Sequence, residues 1–180
     1  MVKSAELRWK QMRKSVKCKR NQADFERVKA EMTTLHEQEA AGELDVYYFV
    51  ESGLSLTPEA PYAWQGVGET IEIPSSRSKR LNVLGFCNKQ QDFRATIVQG
   101  YVDSEVIVAF LDQFCATINK KTVVKYLPTY SPELNLIEIV WRFIKYSWLP
   151  LWAYLSFKNL KNELQHVLDG MGSEYQITFA

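Results

Sequence analysis

The sequence predicts an α/β fold in which a β-sheet is flanked by helices. Runs rich in aromatic and β-branched residues, such as 45–50, 81–87 and 94–101, are typical of strands. Before and after these runs, apolar residues recur every three or four positions, which is typical of amphipathic helices. At 180 residues, 46% of them hydrophobic, the chain suits one domain with an appendage.

The first 43 residues predict the appendage, which consists of two helices. Residues 4–20 are basic with scattered apolar positions, and we expect them to form a partly ordered helix. Asn21 is a suitable N-cap for a second helix, and Gly42 ends it. Its apolar stripe has three- and four-residue steps and consists of Phe25, Val28, Met32 and Leu35.

Residues 44–180 predict the main domain, which begins with a meander of strands. Residues 45–50 form a buried strand that Glu51-Ser-Gly53 ends. A hairpin is expected over 62–73, before the strands at 81–87 and 94–101. A helix then opens at Asp103 or Ser104, and its apolar face consists of Ile107, Phe110, Leu111, Phe114, Cys115 and Ile118.

Two further helices are predicted towards the end of the chain. A strand at 121–124 runs into 126–128, and Ser131 then caps a helix with Pro132 at its first position and Glu133 in its first turn. After a turn rich in Trp and Pro at 147–155, Ser156 caps the last helix. The apolar side of that helix consists of Phe157, Leu160, Leu164, Val167, Leu168 and Met171.

Glu138 is the residue that this pattern explains least well. It lies in an otherwise apolar helical turn, with Asn135 and Trp141 three residues to either side on the same face. A carboxylate in this setting is either paired by Arg142, one turn further on, or part of a functional site.

The net charge of +1 hides a strong asymmetry. Residues 1–20 contain eight Lys and Arg residues against one acid, for a net +7, so the rest of the chain carries −6. A basic arm on a mildly acidic body is compatible with nucleic-acid binding and equally with a solvated tail.

The cysteines and the apolar runs point to a reducing, non-membrane setting. The three cysteines are widely spaced and odd in number, without a metal-binding or disulfide pattern, so we expect a reducing cytoplasm. The apolar run 148–155 is too short to span a membrane, and no signal peptide is evident.

Residues 127–138, LPTYSPELNLIE, followed by Trp141 and Lys145, resemble the third-acid motif of mariner-type DDE transposases, in particular the bacterial insertion-sequence branch. The resemblance implies an RNase H-like mixed sheet flanked by helices, with residues 1–43 as linker helices. It implies that Glu138 is a catalytic, Mg²⁺-binding carboxylate and that transposon-end DNA is the partner. The supporting motif residues are Pro128, Tyr130, Ser131, Pro132, Asn135, Trp141 and Lys145.

The chain departs from this family at the other two acids. Residues 49–56, FVESGLSL, resemble the first-acid motif, but Val50 stands where the family has Asp, and Glu51 points to the opposite face of the strand. The family's second-acid motif, of the type Asp-Asn-Ala-x-x-His, is absent. A strand–helix–strand unit needs about 30 residues, and the interval between 124 and 126 leaves no room for one. The resemblance therefore implies a truncated, internally deleted chain with one strand–helix unit missing.

Three other acids are poor replacements for the lost ligands. Asp112 lies on the polar side of its predicted helix, where a solvated role is expected. Asp45 and Asp103 stand at the starts of elements, where capping and turn roles account for them.

These observations lead us to expect a transposase remnant without catalytic activity and with marginal stability. A second hypothesis is a regulatory fragment that binds DNA or a full-length relative, either as a dimer with itself or with that relative. A third is an α/β domain without a nucleic-acid role. In the first two cases we expect a bacterial cytoplasmic protein, associated with the nucleoid when bound to DNA. The residues predicted to contact DNA are Lys10, Arg13, Lys14, Lys17, Lys19 and Arg20.

Overall fold

The computed structural model describes residues 17–59, 66–70, 72, 80–118 and 122–179. Within these residues, the helices are α1 (Gln22–Ala40), α2 (Ser104–Cys115), α3 (Ile137–Phe143) and α4 (Phe157–Asp169). The strands are β1 (Tyr48–Leu54), β2 (Leu81–Cys87) and β3 (Phe93–Gln99). Short 3₁₀ or π-helical turns occupy Lys17–Lys19, Pro132–Leu134, Ile144–Trp148 and Leu151–Leu155.

The three strands form an antiparallel meander in the order β1-β2-β3. The central strand β2 pairs along its whole length with both neighbours, and all of its residues are buried. Val50 of β1 lies opposite Gly85 of β2, which in turn lies opposite Ala95 of β3. The predicted α/β class, with helices flanking a sheet, is confirmed.

One face of the sheet packs against α3 and α4. Successive side chains of a strand point to opposite faces, so Leu81, Val83 and Cys87 share this face of β2. All three belong to the main hydrophobic core. The fully buried helical residues that meet them include Ile137, Val140, Ile144, Leu160, Leu164 and Val167.

The opposite face of the sheet is covered by aromatic residues of α2. The ring of Phe86 on β2 stacks on Phe114 with centroids 4.0 Å apart, and lies 5.3 Å from Phe110. The side chain of Asp103 caps this helix by accepting a hydrogen bond from the backbone N–H of Val106 at 3.0 Å. The predicted start of the helix is therefore confirmed, as is its apolar face towards the sheet.

Helix α1 packs against the segment before α3 and the start of the sheet. Its N-cap is Asn21, as predicted, and its buried side chains are Phe25 and Val28. Near its end, His36 accepts or donates a 2.9 Å hydrogen bond with the hydroxyl of Tyr48 on β1. The helix closes at Gly42, whose φ of +78° is the left-handed conformation that favours glycine.

The predicted end of β1 is wrong. The strand does not stop before Glu51 but begins at Tyr48 and continues through Gly53 to Leu54. Glu51 pairs with Leu84, and Gly53 pairs with Asn82. The long partner strand supplies ladder hydrogen bonds to the whole Glu-Ser-Gly segment, which outweighs the weak strand preference of these residues.

The strand predicted over 121–128 is not formed in the described residues 122–128. No neighbouring strand pairs with them, and Val123 and Tyr126 expose 71% and 90% of their surface. A parallel strand needs a partner edge and covered faces. Because this segment does not join the sheet, β1 is an edge strand of the described sheet.

The predicted helix after Ser131 begins later than expected. Ser131 does not cap it; its hydroxyl donates to the carbonyl of Thr129 at 3.3 Å. Pro132–Leu134 form a 3₁₀ turn, Asn135 is extended, and α3 starts only at Ile137. The break at Asn135 explains the delay, because its side chain is bonded to another element, as described below.

The last helix agrees with the prediction, and its Ser156 cap accepts from the backbone N–H of Asn159 at 3.1 Å. The helix predicted over 4–20 and the hairpin predicted over 62–73 fall largely outside the described residues. Among the helices that are described, none combines the length and apolar character needed to cross a membrane.

Candidate catalytic site

Glu138 lies in the first turn of α3 and is half-buried. Burial raises the pKa of its carboxyl group above the ordinary value, and the positive charge of Lys145 opposes that rise in pKa. Its carboxylate has no hydrogen bond or close ion pair with the residues that the structure describes. The alternative pairing with Arg142 is not formed, since Arg142 is exposed and contacts no acid in that part of the chain.

Lys145 is the cation that acts on Glu138. It lies in the π-helical turn after α3, and its side chain is largely buried. Its ammonium nitrogen is 4.0 Å from a carboxylate oxygen of Glu59. The positive charge of Lys145 thus acts on two acids, Glu138 and Glu59. The sequence motif does not predict the contact with Glu59.

Asn135 ties the start of the Glu138 segment to strand β1. Its side-chain nitrogen donates a hydrogen bond to the backbone carbonyl of Phe49 at 3.2 Å. Phe49 directly precedes Val50, so this bond holds the predicted third-acid motif beside the predicted first-acid position. The side-chain oxygen of Asn135 is buried and has no partner among the described groups.

Trp141 fixes the same helix to the centre of the sheet. It is 2% exposed and packs where Gly85 leaves room on β2. A methyl group added at Gly85 would approach the Trp141 ring to 2.8 Å. The motif residues Asn135 and Trp141 therefore have a positioning role, which orients α3 against β1 and β2.

Val50, at the predicted first-acid position, contributes only apolar surface. Its side chain packs against the main hydrophobic core, on the face of the sheet that α3 covers. Glu51 is exposed and points to the other face, as predicted. Neither residue places a carboxylate beside Glu138.

The donor set does not fit the two Mg²⁺ ions that the transposase resemblance implies. Two-metal sites need several carboxylates converging on ions about 3.5–4 Å apart. Among the described residues, no group of three His, Cys, Asp or Glu side chains could hold a metal ion. Asp112 is exposed on α2, and Asp103 caps that helix, so neither joins Glu138.

The remaining motif residues build the turn that leads into α3. Ser131 is buried, Pro132 opens the 3₁₀ turn, and Tyr130 has a φ of +61°. Pro128 precedes them and is partly buried. Their arrangement accounts for the shape of the loop and brings no further carboxylate to Glu138.

Three of the six residues predicted to contact DNA are described. Lys10, Arg13 and Lys14 lie outside the described residues, whereas Lys17 and Lys19 are exposed. Arg20 is largely buried, with its guanidinium hydrogen-bonded to Glu133 and 3.7 Å from the ring centroid of Phe25. This contact joins the arm to the turn before α3, and DNA binding by the arm stays a prediction.

Comparison with protein families gives one match. The model of the DDE superfamily endonuclease family matches residues 45–124 and 116–161, which together are more than half of the chain. Comparisons with curated proteins and with solved structures found no match. The matched segments contain both β1, with Val50, and α3, with Glu138. The chain therefore belongs to the DDE superfamily endonuclease family.

Proposed function

We propose that this chain is a transposase of the mariner type, from the bacterial insertion-sequence branch, that has lost the ability to cleave and join DNA. In this proposal residues 1–43 are linker helices and residues 44–180 a degenerate endonuclease domain that acts at the bacterial nucleoid. The observation that carries it is Val50, a partly buried residue that packs against the hydrophobic core at the predicted position of the first acid.

The chemistry explains why this substitution is decisive. Phosphoryl transfer by a two-metal site needs carboxylates that bridge the ions and neutralise the charge on the attacking and leaving oxygens. Of the predicted family acids only Glu138 keeps its carboxylate, and Lys145 places a competing positive charge near it. A divalent ion would therefore be held by the single carboxylate of Glu138 and repelled by the nearby positive charge of Lys145.

The pattern of the family match supports an internal deletion. The two matched segments overlap over residues 116–124, where the second-acid motif would be expected. In the same place the structure has an unpaired segment at 122–128 instead of a strand. Both observations fit the loss of one strand–helix unit, together with its acid.

A plasmid-nicking assay tests the loss of cleavage. Purified protein is incubated with a supercoiled plasmid that carries the ends of the parent element, in Mg²⁺ or Mn²⁺, with a complete transposase as the positive control. We expect no nicking above background. Nicking that disappears in Glu138→Gln, but not in the exposed-surface variant Glu43→Gln, would overturn the proposal.

A regulatory fragment is the second candidate function. The open edge of β1 borders a groove of about 360 Å³ that is also lined by Val123, Val124 and Tyr126. Large exposed apolar residues beside an unpaired strand edge are a suitable surface for another chain. This surface favours association with a full-length relative that retains the missing strand.

Inhibition of the full-length relative tests this second function. We expect the fragment to lower transposition by that enzyme, and Val123→Lys with Tyr126→Lys to relieve the inhibition. Inhibition that persists in the double variant would exclude this surface as the contact. A wild-type fragment without any effect would eliminate the regulatory function.

A further inference from the structure

A groove runs between α1 and the segment that leads into α3. Its volume is about 480 Å³. One wall is formed by Lys29, Thr33 and His36, which recur at helical spacing along α1. The other wall is formed by residues 132–136 together with Ile139 and Arg142, and Lys89 in the β2–β3 turn also lines the groove.

Three exposed cations from three separate elements meet at this groove. Lys29 belongs to α1, Lys89 to the β2–β3 turn and Arg142 to α3. None of them forms an ion pair with an acid in the described part of the chain. Other cations do have such partners: Lys125 lies 2.8 Å from Glu31, and Arg27 lies 2.7 Å from the same side chain.

Among the described residues that line the groove, the one acid is already neutralised. Glu133 is hydrogen-bonded to the guanidinium of Arg20, and the ammonium of Lys17 is 4.0 Å away. His36 is held on both ring nitrogens, by Glu39 at 3.2 Å and by the hydroxyl of Tyr48 at 2.9 Å. The groove therefore presents a net positive surface, with Glu133 and His36 already engaged by other groups.

The shape and chemistry of the lining distinguish between anionic ligands. Proteins that bind single-stranded nucleic acid stack the bases on exposed aromatic rings. The Tyr48 ring at this groove is buried, and its hydroxyl is already bonded to His36. Lys and Arg side chains without base-stacking partners are suited to the phosphates of a duplex.

We propose that this groove binds the phosphodiester backbone of double-stranded DNA, with Lys29, Lys89 and Arg142 as the phosphate contacts. The proposal rests on the proposed function, since a transposase acts on DNA, and it adds a second surface to the basic arm that the sequence predicts. Arg142 lies one turn after Glu138 on α3, so a backbone bound there lies along the helix that carries the remaining family acid. DNA recognition is thus retained on a surface that does not depend on the lost acids.

Salt-dependent DNA binding by paired variants tests this proposal. The groove variant carries Lys29→Gln and Arg142→Gln, and the control carries Lys158→Gln and Lys161→Gln on α4, which removes the same charge elsewhere. Affinity for a fluorescent 30-base-pair duplex is measured by anisotropy over a range of NaCl concentrations. Circular dichroism of each variant checks that it retains the helical content of the wild type.

We expect the groove variant to bind at least about tenfold more weakly than wild type in low salt. The slope of log affinity against log salt should fall by about two, because each lost phosphate contact removes about one released counterion. The control should match the wild type apart from a small non-specific loss.

Other outcomes overturn the proposal in distinguishable ways. If wild type binds DNA and the groove and control variants behave alike, the groove is not the contact, and DNA binding by the proposed function survives. If wild type binds no duplex at any salt concentration, the DNA-binding role itself fails as well. Tighter binding to single-stranded DNA or to duplex RNA would contradict the assignment to a DNA duplex.

Discussion

At the scale of the residue, Glu138 is the predicted third acid, and no described group of three metal ligands includes it. Burial raises the pKa of its carboxyl group, and Lys145 only partly offsets that rise in pKa. The sequence motif predicts this residue because the acid stands in an apolar turn. The motif cannot predict the surroundings of this acid. They depend on Val50 packing against the core and on the lack of any group of three potential metal ligands among the described residues.

Replacement of Glu138 by Gln should stabilise the protein at neutral pH. The folded-state pKa lies above the ordinary 4.5, so the folded state holds the proton more tightly than the unfolded state does. The ionised carboxylate therefore costs stability above that pH, and the cost vanishes as pH falls below 4.5. We expect thermal melts to show a Tm higher by about 1–3 °C at pH 7 and no gain near about pH 4.

Glu43→Gln is the matched control, because Glu43 is an exposed acid of the turn after α1. It should leave the Tm nearly unchanged at both pH values. A Glu138→Gln variant that is less stable than wild type at pH 7 would show that the carboxylate is held by a favourable partner instead.

At the scale of the element, two side chains hold α3 against the sheet. Asn135 bonds to β1, and Trp141 fills the space above Gly85 of β2. The caps of α1, α2 and α4 could be predicted from Asn21, Asp103 and Ser156, because N-capping is a local property. The late start of α3 could not be predicted from the sequence, because the hydrogen bond from Asn135 to Phe49 joins residues that are far apart in the sequence.

Gly85→Ala should destabilise the protein at this contact between α3 and the sheet. The added methyl group would meet the Trp141 ring at 2.8 Å and the Ile137 side chain at 3.2 Å. We expect a loss of about 1–3 kcal/mol in urea denaturation, the usual cost of overpacking a core. Trp141→Phe, which shortens the aromatic ring system, should make the Gly85→Ala change less costly.

A double-mutant cycle over Gly85 and Trp141 therefore provides the check. Residues in contact show interaction energies that residues far apart lack. Additive effects of the two substitutions would contradict the close approach of Trp141 to Gly85.

At the scale of the whole molecule, the described sheet ends at β1, and the segment after α2 stays outside it. Hydrophobic and β-branched patterns predict β1, β2 and β3, since each is stabilised by partners that the meander supplies locally. Residues 122–128 carry a similar pattern, but a strand needs a neighbour, and the sequence alone does not show that the neighbour is missing. As a result, Val123, Val124 and Tyr126 are exposed.

This exposed apolar surface should make the protein aggregation-prone and of ordinary or low thermal stability. We expect a Tm below about 60 °C, within the usual mesophile range, and concentration-dependent light scattering. Val123→Lys with Tyr126→Lys should reduce the scattering, while Val67→Lys, at another exposed valine, should have a smaller effect. A highly stable, monodisperse wild type would contradict this prediction.

Divalent-metal binding tests most directly whether the set of metal-binding acids in this endonuclease-family chain is incomplete. Isothermal titration calorimetry with Mn²⁺ on the wild type and on Glu138→Ala compares the two proteins under identical conditions. We expect no wild-type binding beyond the background of the variant. Tight binding of two ions by the wild type, lost in Glu138→Ala, would contradict it and show that other carboxylates reach Glu138.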